Sequence, residues 1–156
     1  MKIIFDTCVL YPTVLREILL GVAEMGLYKP VWSTRILDEW THAFRKKNSS
    51  GQDTILAQIA LLNFHWPNSL VQDYDLDVRS LWLPDENDIH VLASAISSDA
   101  EAILTLNRKD FPKKILKDFG IVRYSPDEML RGLWIDNSEI ISKVIINAFE
   151  LAKQNM

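Results

Sequence analysis

The sequence predicts an α/β fold with a mostly parallel central sheet. Short apolar, β-branched runs alternate along the chain with longer stretches of helical periodicity. Cys8 is the sole cysteine, so neither a disulfide nor a Cys-rich zinc site holds the fold, and the 48% of hydrophobic residues must supply the core. There is no internal repeat, and 156 residues fit one domain covering residues 1–156.

The elements follow in order. Lys2 to Phe5 (KIIF) is a short buried strand. Pro12 and Thr13 open a helix, VLREILLGVAEM, that stops near Gly26. Tyr28 to Trp32 reads as a second strand despite Pro30. Ser33 is an N-cap for a helix running to about Lys47, and 46–51 (KKNSSG) form a polar loop. Thr54 to Phe64 forms the next helix and ends before Pro67. Pro84-Asp85 marks a turn into a helix from about Glu86 to Ser98. Ala102 to Leu106 (AILTL) and Ile121 to Tyr124 (IVRY) are further strands. Ser125-Pro126-Asp127-Glu128 combines an N-cap, a first-turn proline and a glutamate three residues after the cap. A closing helix covers Ser138 to Lys153.

Composition narrows the function. Asp6 interrupts the N-terminal apolar run far short of a signal peptide, and the longest uncharged stretch, 54–72, is too polar to span a bilayer, so a cytoplasmic protein with no membrane partner is expected. The net charge of −4 gives no general attraction to nucleic acid, although bound cations invert the sign of an acidic cleft. The phosphate-cradling, dinucleotide-binding and serine-hydrolase glycine motifs are all missing. His42, His65 and His90 lack zinc-site spacing. What remains is hard-cation binding by carboxylates, which suits Mg2+ or Mn2+.

Open parallel sheets place their sites beyond the carboxyl ends of strands. Asp6 and Thr7 follow the first strand, and Thr105, Asn107 and Asp110 lie at or past the end of AILTL. In the helix after Pro84, Ile89, Val91, Leu92, Ala93, Ala95 and Ile96 form the apolar face, and Asp88 lies roughly 60° from its centre at 3.6 residues per turn. An inward carboxylate needs a partner or a metal. By the same arithmetic His90 and Ser94 point to solvent. In the earlier helix Glu39 borders the stripe of Ile36, Leu37, Trp40, Ala43 and Phe44, whereas Asp38 lies opposite and is solvated. Asp85 either caps its helix or joins the acids. Cys8 is a packed small residue.

In order, these residues resemble the PIN-domain ribonucleases, the fold of VapC-type toxins from bacterial toxin–antitoxin pairs. Four stretches carry the resemblance: IIFDTCVL with Asp6, ILDEW with Glu39, LPDENDIHVLASAI with Asp85 and Asp88, and ILTLNRKDFP with Asn107 and Asp110. It covers about 1–130, with closing helices beyond. The resemblance implies a Rossmann-like three-layer PIN domain with helices flanking the sheet. It implies an acidic pocket for one or two Mg2+ or Mn2+ ions, in which Asp6, Glu39 and Asp88 match the three core acids. Many relatives carry Asp where this chain has Asn107, and Asp110 supplies that charge; Asp85 completes the metal set. Thr7, Thr105, Arg108 and Lys109 are placed to touch substrate. The implied activity is metal-dependent endoribonucleolytic cleavage by a toxin, with RNA as substrate, a cognate antitoxin as partner and a possible homodimer. The alternative is a catalytically inactive PIN domain that binds RNA or protein. A haloacid-dehalogenase-type phosphatase would want Asp where Cys8 stands, and a receiver domain would want an acid at Phe5.

Overall fold

The computed structural model describes residues 1–48, 52–72, 74 and 76–154. Five strands form one all-parallel sheet in the order β3-β2-β1-β4-β5. They are β1 (Lys2–Phe5), β2 (Lys29–Ser33), β3 (Leu70–Val71), β4 (Ala102–Leu104) and β5 (Val122–Tyr124). Among the described residues seven α-helices connect and cover them: α1 (Thr7–Leu10), α2 (Thr13–Glu24), α3 (Thr34–Lys47), α4 (Gln52–His65), α5 (Ile89–Ser97), α6 (Lys113–Lys117) and α7 (Pro126–Gln154). Helices flank the sheet to give three layers, as the alternating pattern predicts.

β1 sits at the centre because it can be buried on both faces: Ile3, Ile4 and Phe5 are at most 1% exposed. Ile3 aligns with Pro30 on one side and with Ala102 on the other. Pro30 is tolerated in β2 because its missing N–H falls on the side away from β1, below the level where β3 begins to pair at Trp32. β3 is only two residues long and has no sequence run to announce it. Of the polar loop read at 46–51, residues 49–51 lie outside the described residues.

The predicted caps form. Ser33 Oγ accepts from Ile36 N at 3.1 Å and starts α3. Ser125 and Glu128 bond reciprocally, Glu128 N to Ser125 Oγ at 3.1 Å and Ser125 N to Glu128 Oε1 at 3.3 Å, a complete capping box for α7. That helix continues past the expected break and bends at Asn137 (φ −136°, ψ 27°), whose side-chain amide donates to Leu133 O. The first turn of the helix expected from Glu86 is a 3-10 turn, Glu86–Asp88, and α5 proper begins at Ile89.

One orientation is corrected. His90 and Ser94 do not face solvent: they are 2% and 1% exposed. Helical-wheel reasoning assumes one covered face, but α5 packs on β1, β2 and β4 while the 3-10 turn Val78–Ser80 also contacts it. Residues 89–98 contain no Lys, Arg, Asp or Glu, which is the mark of a helix covered all round.

Candidate metal centre

The carboxyl edge of the sheet gathers the acids. Asp6 follows β1 directly, and its backbone N–H donates to Leu104 O at 3.0 Å, so the acid is tied to β4 as well. Its side chain is 6% exposed. Oδ1 caps α1 by accepting from Thr7 N at 2.8 Å, and Oδ2 accepts from the Thr105 hydroxyl at 2.8 Å. Burial raises the Asp6 carboxyl above its usual range, against the pull of these hydrogen bonds. Cys8 lies beside it, with Sγ 3.5 Å from Oδ2 and accepting from Leu106 N; burial first, then the Asp6 charge, pushes this thiol up to about 11.

Glu39 reaches the same region from α3. The Thr7 hydroxyl lies 3.0 Å from Oε2, and Nε2 of His90 lies 2.5 Å from Oε1. Burial alone would raise this carboxyl, but His90, Thr7 and Arg35 together bring it below the usual value. Asp38 points away and is exposed, as expected.

Asp88, Asp85 and Asp110 form the tightest group, each offering one oxygen within 4.8 Å of the others. Asp85 precedes the 3-10 turn, and its Oδ1 accepts from Asn87 N at 2.9 Å, so it both caps and joins the acids. Asp110 is held by Asn107, whose side-chain amide donates to Oδ2 at 2.5 Å and whose backbone N–H donates to the Thr105 hydroxyl. Asp88 has nothing comparable: its Oδ2 is buried with no hydrogen-bond partner among the described residues. Burial, then Asp6, Asp85, Asp110 and Glu39 in that order, push its carboxyl up to about 6. Four acids therefore converge electrostatically on a fifth.

These residues fit a hard divalent cation. Oxygens ligating Mg2+ at about 2.0–2.1 Å stand at most about 4.2 Å apart, close to the spacing found. An unpaired buried carboxylate oxygen among like charges is costly unless a cation neutralises it. Other expected contacts lie differently. Thr105 is 1% exposed and its hydroxyl serves Asp6. Arg108 stands 3.7 Å from Glu128, and Lys109 is exposed.

Sequence reasoning missed His90, which the structure places on Glu39; the uncharged run 89–98 was the available signal.

A family model described as PIN domain matches residues 2–109. The match spans β1 to β4 and ends one residue before Asp110. No curated protein and no solved structure matches the chain.

Proposed function

Since this chain belongs to the PIN-domain family, whose members are generally nucleases, we propose that it is a Mg2+- or Mn2+-dependent endoribonuclease and the toxin of a type II toxin–antitoxin pair. The observation that carries the nuclease reading is the partnerless buried oxygen of Asp88 within a ring of carboxylates. The toxin role rests on the resemblance of the four motif stretches, as do the antitoxin partner and homodimer formation, whereas residence in the cytoplasm rests on the composition of the sequence. Among the described residues no helix is long and apolar enough to cross a membrane.

Asp85, Asp88 and Asp110, with Asp6 and Glu39 beside them, would hold the metal. When bound, a divalent ion supplies the charge that offsets phosphate repulsion and acidifies the attacking water. Thr105 orients Asp6 and opposes the upward pull of its burial. Asn107 fixes Asp110, and Thr7 with His90 fixes both oxygens of Glu39, so little reorganisation is left for the reacting state. Arg108 and Lys109, exposed beside Asp110, are placed to meet RNA phosphates.

Incubation of total RNA with the purified protein and Mn2+ or Mg2+ tests this, beside EDTA and Asp6→Asn. Cuts should appear with metal and fall at least ~100-fold in either control. Full cleavage by Asp6→Asn would refute the assignment. A chain that cuts nothing and shows no divalent-dependent rise in melting temperature is instead a non-catalytic binding module.

A further inference from the structure

Beside the acids lies a cavity of about 260 Å3 lined by Ser33, Arg35, Gln72, Tyr74, His90 and Ser94. His90 belongs to both sites: Nε2 meets Glu39 Oε1, while Nδ1 is buried with no hydrogen-bond partner among the described residues. Nδ1 can accept from a neutral ring or donate from a protonated one, so in either form the His90 side chain carries a polar atom without a partner there. Such an atom in a native fold calls for an explanation, and a group entering the adjoining cavity supplies one.

We propose that this cavity receives one nucleobase of the RNA, next to the bond that is cut. The inference rests on the ribonuclease reading and deepens it to a subsite. Size fits: the volume lies just below the roughly 300–1,000 Å3 of drug-sized pockets, which leaves room for a single ring system. Chemistry fits: each lining side chain carries a polar group. The polar edge of a base can donate to or accept from Nδ1, and the serine hydroxyls and Gln72 amide can likewise do both. Tyr74 contributes an aromatic ring, the usual platform for an unstacked base. A phosphate suits the interior poorly, because among the described residues the sole permanent cation lining the cavity is Arg35, which is exposed. Place fits as well. Ser33 ends β2, the strand adjacent to β1 and Asp6. Arg35 lines the cavity and is close enough to Glu39 to lower its carboxyl, so its charge is available to the phosphate that would link the base to the acid site.

Two measurements on the full chain test the proposal. In the first, binding of the four nucleoside 5′-monophosphates is followed by NMR for the native protein, Tyr74→Ala and Ser94→Val, with melting curves to confirm folding. One base should bind at least fivefold more tightly than the weakest. Tyr74→Ala should lose at least fivefold of that affinity, and Ser94→Val should narrow the preference. In the second, the ends cut from a pool of random single-stranded RNA are sequenced. One position flanking the cut should show a base preference that Tyr74→Ala flattens while metal-dependent cutting persists. Equal binding of all four nucleotides, or a preference unchanged in Tyr74→Ala, overturns the subsite. If Ser94→Val fails to fold, Tyr74→Ala decides alone. Selective nucleotide binding without cleavage keeps the subsite and removes the ribonuclease reading; cleavage without base preference does the reverse.

Discussion

Asp88 concentrates the electrostatic conflict of the molecule, with one oxygen out of water and four other carboxylates pressing on it. Its folded value, about 6, lies above the ordinary 3.8, so between these values the folded chain holds a proton that the unfolded chain has released. Stability from this group therefore falls as pH rises from about 4 to about 6 and stays low above that. Asp88→Asn should remove the fall. Its metal-free form at pH 7 should be more stable by about 1 kcal/mol after allowance for solvent screening, a melting rise of roughly 2–4 °C. Melts with and without Mg2+ should show that the variant has lost the divalent-induced shift. A second expectation concerns His90, which holds Glu39 without touching the acid triad. His90→Ala should weaken Mn2+ binding by ~10–100-fold in calorimetry, and His90→Gln, which keeps a donor, by less. Asp88 stands in the 3-10 turn before α5, where the α-helical wheel does not apply, although its inward position agrees with one. The outward lean of Asp38 was readable from helical periodicity, because α3 carries a definite apolar stripe. His90 was not, since periodicity has no outside to point to on a helix covered on every side.

The packing of α2 against α7 rests on a glycine. A Cβ at Gly21 would stand 2.6 Å from Val144 Cγ1, and a β-branched side chain in a helix has little freedom to yield. Gly21→Ala should gain up to ~1 kcal/mol of helix propensity but lose about 1–3 kcal/mol to overpacking, for a lower urea midpoint. Adding Val144→Ala should recover part of that loss, so the double variant will be less destabilised than the sum of the two single changes. Element boundaries were most readable where side chains cap the backbone, as at Ser33 and at the Ser125–Glu128 box. They were least readable where tertiary contact alone defines the element. The two-residue β3 exists because Trp32 and Ser33 offer it an edge to pair with. The bend at Asn137 is sustained by a single side-chain bond to Leu133 O.

The whole molecule is wound outward from its centre: the chain lays β2 and β3 on one side of β1, then returns to lay β4 and β5 on the other. Asp6 and the 105–110 segment leave the two strands that flank this reversal, which is where open α/β sheets bind ligands. Alternating apolar runs made that sheet and its carboxyl edge readable from sequence. The grouping of Asp85 with Asp110 was harder to read, since their approach depends on two loops whose course no periodicity records. Divalent ions should stabilise the entire fold, and because a ligating carboxylate must shed its proton, their affinity should fall by up to about tenfold per pH unit below about 6. Titrations of the Mn2+-dependent melting shift at pH 5 and pH 7 will check this. The bond from Thr105 to Asp6 spans 99 residues. A ribosome adding roughly 5–20 residues per second therefore carries a chain whose acids have yet to meet for some 5–20 seconds, and a product released before β4 is made lacks the assembled acid site.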